Sequence, residues 1–156
     1  MLKVQRISLF IRANQFNHLN KQMKIQFSRL EIKSFDSNEA CLNLIADQKW
    51  SDGYTCRSCG NTNYCSGKTP YSRRCTRCKH DESATSHTIF HHCRIALPEA
   101  FKIMYKVCND PGISTYELSR QMELRQMTSW KLKSKLVECI RERGEIDILF
   151  NREVKD

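Results

Sequence analysis

No apolar run in this chain approaches the roughly 18 residues that a membrane span requires, so insertion into a membrane is not expected. No stretch near the N-terminus joins a long apolar segment to a small-residue cleavage site, which argues against a secretory leader and favours the cytoplasm. No internal repeat or low-complexity segment is visible, so the chain is not an array of one unit. Aromatic residues make up only 9% of the 156 residues, and one or two small modules of that size rarely build enough core to be stable unaided. A metal clip would supply what packing does not. Acid is scarce: 26 Lys and Arg stand against 17 Asp and Glu, a formal charge of +9 with a pI near 9.2. Such a balance favours a polyanionic partner, nucleic acid foremost.

Cysteine is what the chain has in excess, nine in all. An odd count in a reducing compartment speaks against a disulfide scaffold and for a metal site. Cys56-x2-Cys59 and Cys75-x2-Cys78 are separated by fifteen residues, the pattern of two thiolate knuckles at the tips of adjacent hairpins. A two-residue gap lets both sulfurs of one knuckle reach one ion, with loop N–H groups orienting them. One structural zinc is the expected cofactor; paired disulfides and iron are the alternatives. Four thiolates close the zinc shell and leave no water to activate, so the ion is read as architectural and no catalytic residue is assigned. Gly60 suits a left-handed bend after the first knuckle, whereas Lys79 in the second must accept that strain or take another path. Cys41, Cys93, Cys108 and Cys139 are expected to pack as small apolar side chains, and Cys65 is left over. His80, His87, His91 and His92 cluster after the second knuckle and are read as surface or packing residues.

The organisation around these knuckles is uneven. Met1 to Ser34 carries seven Lys or Arg and one acid, Glu31, with apolar residues at no sustained period. It reads as a disordered basic arm at 1–34, and Met23 offers a second start. A helix is expected at about 38 to 48, capped by Asp36 or Ser37 and carrying Ala40, Cys41, Leu44 and Ile45 at helical spacing. Short strands and turn formers follow from Tyr54 to Ser86. Pro98 then opens a helix with Ala100, Phe101, Met104, Tyr105 and Cys108 on one stripe, stopped by Asp110, Pro111 and Gly112. Ser114 and Glu117 form a capping box for a second helix to about Met122. After a turn near 123 to 127, a third helix turns Leu132, Leu136, Val137 and Ile140 inward, with Trp130 packed against Val137.

Two basic groups stand out. Arg57, Arg73, Arg74, Arg77 and Lys79 lie in or beside the knuckles and are candidate phosphate contacts. Arg125, Gln126, Thr128, Ser129, Lys131, Lys133 and Lys135, on the third helix of the series, mix phosphate-contacting and base-reading groups as a major-groove helix does.

The phrases W-S-D-G-Y-T-C-R-S-C-G, Y-S-R-R-C-T-R-C and S-A-T-S-H-T-I-F, with Ile113 to Leu118 as an I-S-A-x-E-L-like phrase, resemble the zinc ribbon that opens certain bacterial insertion-sequence transposases. The likeness spans about 35 to 143. Arg57 stands where that family usually has proline, and His87 where it has the glycine before T-I-F. The resemblance implies a small α+β fold: a zinc-ribbon domain with a leading helix at 35–92, then a helix-turn-helix-like module at 93–143. It implies a bacterial, nucleoid-associated protein that recognises the terminal inverted repeats of a mobile element in double-stranded DNA, with self-association left open. The family's catalytic domain carries an acidic triad that binds two metals. Here 144–156 reads as a tail, with Gly144-Glu145-Ile146-Asp147 resembling the start of that domain, and no strand transfer is expected. A protein-interaction ribbon, and a front-end fragment completed by another chain, are the competing readings.

Overall fold

The computed structural model of the chain describes residues 36–144 and 146–150. The expected basic arm at 1–34 and the end of the expected tail lie outside the described residues. Within them the order is α1 (Asn38–Lys49), β1 (Tyr64–Ser66), β2 (Arg73–Cys75), β3 (Asp81–Glu82), α2 (Leu97–Asn109), α3 (Thr115–Met122) and α4 (Gln126–Arg143). The described residues thus form a small α+β fold of four helices and one three-stranded antiparallel sheet. No helix among the described residues is long and apolar enough to cross a membrane.

The helices begin and end where local chemistry places them. Ser37 is the N-cap of α1, its hydroxyl accepting from the Ala40 N–H at 3.1 Å, which satisfies one of the donors a helix start leaves over. Ser114 does the same for α3 through the Glu117 N–H at 3.0 Å. Glu117 does not complete a reciprocal box: its carboxylate accepts from Gln121 Nε2 at 2.8 Å and pairs with Arg120. Pro98 sits in the first turn of α2, where its missing N–H costs nothing. Glu123 closes α3 in the left-handed region at φ 54°. The helix after it starts at Gln126, earlier than the expected turn at 123 to 127 allows.

Buried side chains from α1, from 84 to 90 and from α2, α3 and α4 form one core. α2 supplies Leu97, Ala100, Phe101, Ile103, Met104, Val107 and Cys108, and Phe101 stacks on Phe90 with ring centroids 4.9 Å apart. Tyr105, expected on this stripe, is 39% exposed; at 100° per residue it lies two steps round the helix from Ile103, off the buried arc. α4 buries Ser129, Leu132, Leu136, Cys139 and Ile140. The segment after α4 is more than a tail. Ile148 and Phe150 are buried, and the Ile148 carbonyl accepts from the Ile89 N–H at 2.9 Å. Asp147 holds that turn, its carboxylate accepting from the Leu149 N–H at 2.8 Å and pairing with Arg143 at 3.5 Å.

The sheet has the order β1-β2-β3, with Tyr64 opposite Cys75 and Arg73 opposite Glu82. Its strands add little to the core: every residue of β1 is exposed, and β2 contributes Cys75, beside Tyr54 and Cys56 of the preceding loop. The hairpin between β1 and β2 turns at Gly67, whose N–H donates to the Ser72 carbonyl at 3.0 Å. A Cβ there would collide with the Ser72 hydroxyl and the Asp81 carboxylate, so any larger residue would force those side chains to shift.

Candidate metal centre

The two Cys-x2-Cys segments fold alike. In the first, the Gly60 N–H donates to the Cys56 carbonyl at 2.8 Å and the Cys56 N–H to the Asn61 carbonyl at 2.9 Å. In the second, the Lys79 N–H donates to the Cys75 carbonyl at 3.1 Å and the Cys75 N–H to the His80 carbonyl at 2.9 Å. Gly60 and Lys79 occupy matching positions, with φ of 70° and 63°. Lys79 therefore takes the left-handed bend despite its Cβ, and its ammonium donates to the Thr76 carbonyl at 2.8 Å.

This pairing of knuckles brings four sulfurs together. Cys56 Sγ lies 3.5 Å from Cys78 Sγ, and Cys59 Sγ lies 3.6 Å from Cys75 Sγ. All four lie within 4.8 Å of one another, close enough to hold one metal ion, and no other such cluster of metal-ligating groups occurs among the described residues. A tetrahedral shell with sulfurs about 2.3 Å from the metal needs sulfur–sulfur separations of about 3.8 Å, so the donor set fits a four-thiolate ion with little movement.

The surroundings also favour sulfur as thiolate. Burial opposes ionisation of Cys75, but the backbone N–H of Cys78 and the Asn61 amide outweigh it and hold the thiol down at about 6. Cys56 is lowered in the same way: burial raises it, and the Cys59 and Ser58 N–H groups more than offset that. The Asn61 N–H lowers Cys59, yet burial and three neighbouring sulfurs together push it up to about 11. Crowded sulfurs that cannot all ionise alone are what a bound cation would relieve.

Two supporting groups escaped the sequence reading. Asn61, read there as a turn former, donates from Nδ2 to Cys75 Sγ at 3.5 Å, to the Asn63 carbonyl at 2.9 Å and to Thr76 Oγ1 at 3.2 Å. It ties one knuckle to the other. The second is a buried ion pair between Lys49 of α1 and Glu82 of β3, 2.8 Å apart with side chains 5% and 3% exposed. Lys49 also donates to the Ser83 and Ser86 carbonyls at 2.8 and 2.7 Å, and burial pulls its pKa down against the opposing pull of Glu82. Glu82 is also paired with Arg57 Nε at 3.3 Å, so this network docks the first knuckle on α1. Thirty-three positions separate Lys49 from Glu82, and no local pattern announces the pair. Beside it, Arg73 lies between the rings of Trp50 and Tyr64, 4.4 and 4.2 Å from their centroids.

The basic candidates separate by exposure. Arg77 and Lys79 are exposed on the second knuckle, and Arg57, though paired with Glu82, is exposed on the first. Arg73 and Arg74 are half-buried in β2. On α4, Gln126 and Lys131 are exposed, as is Arg125 at its N-cap, and Thr128 is half-buried. Ser129 is fully buried, so its hydroxyl is not offered at the surface. Its place on the helix explains this: it precedes Leu132 by three and Leu136 by seven, on the core face. Lys133 donates to the Ile113 carbonyl and Lys135 to the His91 carbonyl at 2.9 Å, so both also serve the fold.

The histidines do not form a ligand cluster. His87 and His91 stack with centroids 5.6 Å apart, His91 and His92 lie at 3.9 Å, and burial first, then nearby cations, lowers the pKa of His87 and His91. Cys41, Cys108 and Cys139 are buried and Cys93 is half-buried, while Cys65 is exposed on β1. No protein-family model, no curated protein and no solved structure matches the chain.

Proposed function

We propose that this chain is a zinc-dependent module for binding double-stranded DNA, in which a four-cysteine zinc ribbon precedes a helix-turn-helix, and that it recognises the ends of a mobile element as insertion-sequence transposases do. The observation that carries the reading is the matched pair of knuckles: four converging sulfurs, with Arg57, Arg77 and Lys79 exposed around them. Sulfur-only ligation with tetrahedral spacing suits zinc, and a closed shell makes the ion architectural. Cations fixed on such a rim are suited to phosphates. The backbone at His87 adds support. Where the resembled ribbons have a glycine, His87 holds φ 55°, a conformation glycine adopts without strain. In the helical half, α3 and α4 meet through a short turn, and α4 displays Gln126 and Lys131 beside Arg125, the arrangement of a helix that enters a groove.

The test combines metal content with duplex binding at two salt concentrations, using element-end and scrambled DNA. One zinc per chain and a preference for element ends are expected. Three phosphate contacts would weaken binding roughly 40-fold between 50 and 200 mM salt, and Arg77→Ala with Lys79→Ala should flatten that dependence. A second reading, a protein-interaction ribbon, draws on the exposure of Tyr116, Met127 and Trp130. One zinc per chain without salt-sensitive DNA affinity would favour it.

A further inference from the structure

The chain has two tryptophans, and their surroundings differ. Trp50 is 8% exposed within the core, whereas Trp130 is 52% exposed on α4. The sequence places Trp130 against Val137 beneath the helix; in the fold both line one wall of an open groove of about 370 Å³, a volume in the range of small-ligand sites. Ser134 and Arg141 continue that wall, a stripe from Trp130 to Arg141 of about 16 Å at 1.5 Å per residue. The facing wall is formed by Pro111 and Thr115, at the entry to α3.

We propose that this groove binds an unpaired nucleotide, with its base stacked on the Trp130 indole. This deepens the DNA-binding reading and rests on it. The lining is mixed in the way such a ligand requires. Trp130 and Val137 offer an apolar face, the Thr115 and Ser134 hydroxyls can meet a base edge, and Lys133 and Arg141 can meet phosphate. Lys133 is held by the Ile113 carbonyl, which fixes the ammonium at the groove and leaves it two further donors. The Arg141 side chain is 74% exposed and lies 3.8 Å from Glu138, the one acid in the lining. Lys131, the next residue along α4, and Arg125 at its N-cap are exposed. An apolar peptide would find one hydrophobic wall and a rim of charge; a nucleotide finds a π-face, hydroxyls and cations together.

Both indoles emit, but Trp50 is buried from a ligand, so quenching on binding reports on Trp130, with Trp130→Leu giving the Trp50 background. Affinities of the variants are read by anisotropy of labelled DNA. The full chain, loaded with zinc, is titrated with oligothymidylate, with a blunt duplex and with the same duplex carrying an unpaired overhang. Quenching by oligothymidylate and by the overhang duplex, beyond that by the blunt one, is expected; quenching by oligothymidylate alone would place the ligand in single strands rather than at duplex ends. Trp130→Leu keeps bulk and apolarity but removes the stacking face, and should weaken oligothymidylate binding roughly tenfold or more. Trp130→Tyr should restore most of it. Blunt-duplex affinity and zinc content should be unchanged in both variants. Salt-sensitive binding of blunt duplex without quenching by any unpaired strand would overturn the nucleotide site and leave the DNA-binding reading standing. Absence of all DNA binding would overturn both. Equal affinity of the Leu and Tyr variants would overturn stacking, and an apolar peptide would then be the better occupant.

Discussion

The two halves of this molecule are held together by different means. The helical half buries Phe101, Ile103, Met104, Val107, Leu118, Leu132 and Leu136 in a shared core, each large apolar side chain contributing about 1.5–3 kcal/mol when removed from water. The sheet half has three strands of two or three residues, and β1 has no buried residue. What converges there is sulfur, from Cys56, Cys59, Cys75 and Cys78. A two- or three-stranded sheet without an apolar face is not stable in water by itself. The comparison teaches that the helices can stand on packing, whereas the sheet leans on its anchorage to α1 and on four cysteines placed to hold a metal ion.

The sharpest way to break this contrast is to remove one ligand. Cys75→Ser should lose the metal and unfold the knuckles, because a structural zinc contributes about 10–16 kcal/mol of binding energy that becomes folding energy. Cys108→Ser, in the core of α2, should keep its metal and loosen the helix only mildly. Zinc content and amide protection of the two variants check the pair, and equal zinc in both would sink the ligand assignment.

A smaller effect should come from the other half. Phe101→Ala removes a ring that stacks on Phe90 and should cost about 3–5 kcal/mol in denaturant melts, with one metal still bound to the folded fraction. The anchorage between the halves can be tested at Glu82. Glu82→Gln leaves the Lys49 ammonium buried without its carboxylate, at a cost of about 3 kcal/mol. That loss should appear first as exposure of residues around Trp50 and the first knuckle, read by hydrogen exchange. Smallest is Ser114→Ala, which deletes the cap of α3 and should lower stability by about 1 kcal/mol.

The features legible in the sequence were those written locally. Helix α1 and its Ser37 cap, the Pro98 start of α2, the Ser114 cap and the four-cysteine cluster each rest on residues a few positions apart, where spacing and side-chain chemistry suffice. What escaped depends on distant partners. Glu82 is buried because Lys49 comes to it from α1, and Lys135 is tethered by a carbonyl of the His91 turn. Ile148 and Phe150 join the core through a bond to Ile89, which a reading of 144–156 as a tail could not show. Ser129 is different: its position on the face of Leu132 and Leu136 was visible in the helical period, and its polar side chain drew attention from it.

The most direct measurement is chelation of the purified full chain, followed by residue-resolved hydrogen exchange before and after the metal is removed. Protection at residues 54–82 is expected to collapse on removal and to return with one equivalent of zinc, while amides within α2 and α4 stay protected. Unchanged protection of the knuckles in the metal-free protein would contradict the claim that four thiolates and an ion hold this half of the fold.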